Sequence, residues 1–205
     1  MPEGSKQENL QQNDAEELKQ CLENFYYEGT EYAAGVINAA FYLEKIGFTD
    51  PIPDLMKVGI YDATKICLER PQEIGHWPDH IAMMYVKNRE AASRDEQLDK
   101  IGFELAKLIA VYNECTGRFP RASRIYKDLE LTDKAQEMEG TAEYEGNEFE
   151  GNFIKEKVSL WEKAFADFRR FIDKNPFMEQ AERDELLQKT KSSIEKKIKE
   201  ILPEK

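Results

Sequence analysis

The chain reads as all-α: an antiparallel helical bundle of three long helices plus shorter ones, with a C-terminal helical hairpin. Three observations predict this. Apolar residues recur at alternating steps of three and four through most of the 205 residues, the spacing that puts them on one helical face. No segment sustains period-two alternation, and β-branched residues are sparse, so strands are not expected. The helical segments are unequal in length, which favours a bundle over a solenoid of repeats.

Residues 1–13 are polar and carry no apolar stretch of the kind that forms a secretory signal; they read as a flexible tail. A helical pattern then runs from Asp14 to about Ile46, through Leu18, Leu22, Phe25, Gly29, Tyr32, Val36, Ala39 and Leu43. A single helix of that length would span on the order of 50 Å, with Gly29 as its weak point. Small residues from Ala33 to Ala40 leave room for a close neighbour, and Gly47 is the expected stop.

Asp50-Pro51-Ile52-Pro53-Asp54 predicts a turn and a helix start. Met56, Ile60, Ala63 and Cys67 form the next stripe, ending near Arg70-Pro71. Two prolines and a glycine make 71–80 a loop, followed by a short helix from Ile81 to about Arg89. The strongest element is Ser93 to Gly117. Ser93 and Glu96 have capping-box spacing, Leu98, Ile101, Leu105, Leu108, Tyr112 and Cys115 share one stripe, and Gly117 stands at the C′ position.

A short helix is expected from Pro120, and then the composition shifts. Glu137 to Gly151 carries six glutamates, three Glu-Gly pairs and no basic residue, and reads as an acidic connector between a bundle at 14–136 and a hairpin at 152–202. In that hairpin Ile154, Val158, Trp161, Phe165, Phe168 and Ile172 form one stripe, Asn175-Pro176 is the joint, and Leu187, Ile194, Ile198 and Ile201 form the other. The hairpin packs either on the bundle or on a partner. Trp161, Phe165, Phe168 and Phe171 are its candidate partner-binding residues, because large aromatics dominate both cores and interface hot spots.

A formal net charge of −12 disfavours sequence-independent binding to phosphate backbones. No run approaches the 18 or so apolar residues a membrane span needs. Cys21, Cys67 and Cys115 are far apart and each lies in a helical pattern. They read as buried thiols of a cytoplasmic protein rather than a disulfide or metal framework.

Chemistry has few places to reside. The two histidines fall in Glu73-Ile-Gly-His76-Trp-Pro-Asp79-His80. Glu73 and His76 have the Glu-x-x-His spacing of helical di-iron proteins, but Gly75 and Pro78 interrupt it and there is no second copy. His76, Asp79 and His80 offer an alternative mononuclear zinc set, which would make the protein a metal-dependent hydrolase. Paired carboxylate clusters of the kind that hold Mg²⁺ in all-α nucleotide pyrophosphatases are not evident, because the Glu and Asp spacings suit caps and exposed faces. No serine or cysteine sits in a nucleophile motif.

Arg118, Arg121, Arg124 and Lys127 form a basic segment with Phe119 and Tyr126 between them. With the preceding helix, Thr116-Gly117, Pro120, Ile125, Leu129, Leu131 and Thr132, this stretch resembles the start of a helix-turn-helix unit. That resemblance implies a nucleic-acid-associated regulator. Against it, the would-be recognition helix, Thr132 to Gly140, is acidic and offers only Gln136 for reading bases.

The residues point first to a non-enzymatic helical protein–protein interaction module: an adaptor, assembly subunit or regulator without a cofactor. Its partner is another protein or a second copy, and nucleic acid would be reached through 118–127 or through a complex.

Overall fold

The structure, a computed structural model, describes residues 3–27, 30–139, 141 and 153–202. Among them it is all-α, with ten α-helices and three 3₁₀ turns. The chain divides into two compact units, one of Met1–Gly59 with Met178–Lys205 and the other of Ile60–Phe177. The first division falls inside a continuous helix and the second in the loop before the last helix. The acidic connector lies almost wholly outside the described residues, which include only 137–139 and 141 of it.

The first unit begins with α1 (Glu3–Glu23), a 3₁₀ turn at Asn24–Tyr26, and α2 (Thr30–Lys45). Two expectations are corrected here. Residues 3–13, expected as a tail, are helical, and the single helix from Asp14 to Ile46 is instead two. The fold-back buries both stripes at once: Leu18, Leu22, Phe25, Val36, Ala39 and Leu43 are all in the core. A straight rod of that length would leave half of this surface in water.

Asp14, deep in α1 rather than at its start, lies 3.2 Å from Lys45 at the end of α2, so the two helices run antiparallel. The small residues work as their spacing suggests. A Cβ on Gly35 would come within 2.8 Å of Asn24 Cβ and 3.0 Å of the Cys21 carbonyl, so only glycine allows this approach.

The helix α2 stops at Gly47 (φ +70°), where Phe48 N–H bonds Leu43 C=O at 2.9 Å and Gly47 N–H bonds Glu44 C=O at 3.0 Å, the paired bonds of a Schellman cap. The next helix, α3 (Ile52–Glu69), crosses into the second unit.

The second unit adds a 3₁₀ turn at Pro71–Glu73, α4 (Trp77–Lys87), the single turn α5 (Arg89–Ala92), and α6 (Glu96–Cys115). It closes with α7 (Phe119–Asp128), α8 (Thr132–Met138), a 3₁₀ turn at Lys155–Lys157 and α9 (Val158–Lys174). The helix α6 is its hub, packing against α4, α5, α7 and α9, and thirteen of its residues are buried.

The end of α6 is as expected. Gly117 is at φ +79°, and Arg118 N–H reaches Asn113 C=O at 2.8 Å. Its start is not. Asp95 is the N-cap, accepting from the N–H groups of Gln97 (3.1 Å) and Leu98 (3.0 Å). Ser93 instead donates to Glu90 C=O at 2.8 Å, because the turn of α5 has already claimed it. The loop expected at 71–80 is also shorter, since Pro78 sits in the first turn of α4 and 77–80 are helical.

The two helices expected to form a hairpin at 152–202 fall in different units: α9 packs on α6, and α10 (Gln180–Ile201) packs on α1. Asn175 caps the end of α9 rather than the start of α10, its Nδ2 donating to Phe171 C=O at 2.7 Å. Gln97 Nε2 bonds Pro176 C=O at 2.7 Å, and Lys157 meets Glu114 at the other end. These two ties make α9 antiparallel to α6.

Candidate functional site

The residues that looked most able to do chemistry are spent inside the second unit. Asp79 lies in the first turn of α4, only 1% exposed, and pairs with the Arg121 guanidinium of α7. Asn113 Nδ2 of α6 donates to Asp79 Oδ1 at 3.0 Å and to Ile109 C=O at 2.9 Å. The arrangement joins three helices through one desolvated carboxylate.

His76 and His80, by contrast, are exposed, and Glu73 is held at 3.3 Å by Arg70. The proposed donors His76, Asp79 and His80 therefore do not converge. Among the described residues no three His, Cys, Asp or Glu side chains are placed to hold a metal ion.

The basic segment is split by the same pairing. Arg121 faces Asp79, whereas Arg124 and Lys127 are exposed. The following helix, α8, spans seven residues, Lys134 is paired with Glu137 at 2.8 Å, and Ala135 and Met138 are buried.

Beside this network is another. Glu114 is 1% exposed, and its carboxylate accepts from Lys157 Nζ at 2.6 Å and Tyr126 Oη at 2.9 Å. Burial, followed by the Glu114 charge, pushes the Tyr126 hydroxyl well above its ordinary range. This arrangement holds a proton on Tyr126. It fastens the residues before α9 onto α6, with Ile154 N–H capping Cys115 C=O at 2.7 Å.

The aromatic residues of α9 divide between core and rim. Phe168 is 2% exposed. Trp161 stacks on Phe153, meets Tyr112 edge-on at 5.7 Å, and lies 5.5 Å from Phe165. Trp161, Phe165 and Phe171 remain half-buried.

An opening with mixed chemistry lies in the first unit, and the periodicity did not point to it. It is a cleft of about 880 Å³ between α1 and α10. The α1 side supplies Lys19, Leu22, Glu23 and, just beyond the helix, Tyr26 and Tyr27. The α10 side supplies Lys191, Glu195, Ile198, Lys199 and Leu202.

Leu22 and Ile198 are buried and form an apolar floor. Tyr26 and Tyr27 are 56% and 61% exposed, unusually open for such large apolar bodies. Lys191 Nζ donates to Tyr26 Oη at 2.9 Å and lies 4.4 Å from its ring centroid. The Tyr26 oxygen also accepts from Gln188 at 3.1 Å. The phenol's hydrogen bond, with the nearby Glu195 charge, raises the Lys191 pKa. The adjacent Tyr-Tyr pair was the available signal in the sequence, hidden because both fall where an unbroken helix was expected.

No protein-family model, curated protein or solved structure matches this chain.

Proposed function

We propose that the protein is a non-enzymatic helical interaction module, an adaptor, assembly subunit or regulator, and that it binds a protein partner through the α1–α10 cleft. The observation that carries this reading is the pair of exposed tyrosines, Tyr26 and Tyr27, at the edge of a cleft with an apolar floor. Aromatic residues that are largely open to water beside an apolar surface are characteristic of interface centres. The buried carboxylates favour the same reading, since Asp79 and Glu114 are neutralised by fixed partners rather than directed at an open space. The aromatic residues of α9 then act mainly in cis, and its half-buried rim is a secondary surface.

No helix of the described residues is long and apolar enough to cross a membrane. The three free cysteines are all buried, which accords with the reducing cytoplasm as the place of action.

The test compares the full chain with a Tyr26→Ser/Tyr27→Ser variant in cross-linking and affinity capture under native conditions. A partner retained by the parent and lost from the equally folded variant supports the assignment. Identical capture profiles would remove it.

A further inference from the structure

Resting on that assignment of the cleft, we infer the form of its partner: an amphipathic α-helix of about three turns whose charges run acid, base, acid. Tyr26 and Lys191 meet at one end of the cleft. Every other α1 residue that lines it precedes Tyr26, and every other lining residue of α10 follows Lys191. The two helices are therefore antiparallel, and the cleft is a groove between parallel walls.

From Lys191 to Leu202 the α10 wall runs for about 16 Å at 1.5 Å per residue. A guest helix of about 11 residues matches that length. Grooves of this kind, apolar along the floor and charged at the edges, take a helix by its i, i+3, i+7 face. A peptide that docks by adding a β-strand would need unpaired strand-like backbone groups along the wall, and helical walls offer none.

Charge sets the orientation. Lys191 with Tyr26 stands at one end, Glu23 and Glu195 in the middle, and Lys19 and Lys199 at the other end. Among the described residues Lys199 makes no ion pair, Lys19 has only the exposed Glu16 at 3.3 Å, and Lys191 lies 3.7 Å from Glu195. In a chain of net charge −12, an end carrying two available ammonium groups selects an acidic residue. The central glutamates select a basic one and reject a uniformly acidic ligand.

The experiment uses the full chain and two fluorescent 14-residue helical peptides with one leucine stripe. The first carries glutamates at both ends and lysines in the middle. The second has these charges exchanged. The first peptide should bind at least about tenfold more tightly, an increment of roughly 1.4 kcal/mol. A Lys19→Glu/Lys199→Glu variant, altered only at exposed positions, should lose that preference while keeping its circular dichroism and melting temperature. Equal binding of both peptides, or of neither, overturns the inference.

The tyrosine variant separates this result from the broader proposal. If a native partner is lost from Tyr26→Ser/Tyr27→Ser while neither peptide binds, the cleft still binds a protein and the three-turn helix is the wrong guest. Binding of both peptides unaffected by the lysine variant would show attraction to apolar surface alone, which also overturns the charge code.

Discussion

Lys157 donates to Glu114 at 2.6 Å, joining the residue just before α9 to a carboxylate buried in the last turn of α6. The pair spans 43 residues of chain. Removing one partner strands a desolvated charge. Lys157→Met should destabilise the protein by about 3 kcal/mol, and adding Glu114→Gln should restore much of the loss. Urea unfolding of the single and double variants measures this, and additive losses would show that the pair is not coupled.

Arg121 and Arg124 should behave differently although only three residues separate them. Arg121→Met leaves Asp79 buried without the paired guanidinium, with Asn113 still donating to it, and should cost about 3 kcal/mol. Arg124→Glu with Lys127→Glu lies on an exposed face and should change stability by less than about 0.5 kcal/mol. The exposed pair is thus the clean probe of nucleic-acid binding. A gel-shift assay with DNA and RNA at physiological salt should show none in either protein, and retention by the parent that the double variant loses would favour the nucleic-acid reading.

Gly102 lies directly beneath the ring of Tyr85. A Cβ there would come within 2.5 Å of two ring carbons, and Tyr85 is fixed by a 2.6 Å hydrogen bond to Asp99. Gly102→Ala should therefore lose about 1–3 kcal/mol through overpacking, despite alanine's better helix propensity. A melt that rises instead would show that α4 shifts freely along α6.

Glu130 closes α7 at φ +63°, with Leu131 N–H bonded to Tyr126 C=O at 2.8 Å as in the two glycine-terminated helices. The left-handed conformation costs a side-chain-bearing residue about 1 kcal/mol. Glu130→Gly should consequently stabilise the fold by up to about 1 kcal/mol, read as a higher urea midpoint with an unchanged slope.

Burial raises the Cys21 and Cys115 thiols to about 11 from 9.0, and pushes Cys67 up further. A folded-state pKa above the unfolded value means that the folded protein holds these protons more tightly. Their contribution is present in full below about pH 9 and is lost as pH rises towards 11. Stability should fall across that window, and a thiol reagent at pH 8 should label the native protein only at the rate of opening. Rapid stoichiometric labelling of the native state would contradict the burial.

Local signals were legible wherever a single stretch of chain decided the outcome. The stripe of α6, the stops at Gly47 and Gly117, the prolines that open α3 and α7, and the absence of strands among the described residues all follow from side-chain spacing and backbone sterics. Those forces act within a few residues, so the sequence by itself determined an all-α chain and most of its helices. It could not decide which apolar face meets which. Tertiary burial folded the Asp14–Ile46 pattern back at Asn24–Tyr26, assigned Asn175 to α9 and the α6 cap to Asp95, and divided the expected hairpin between α6 and α1. Asp79 and Arg121 illustrate the reason: 42 residues apart, they read separately as a metal ligand and a phosphate contact, and only their approach in a desolvated interior makes each the other's counter-ion.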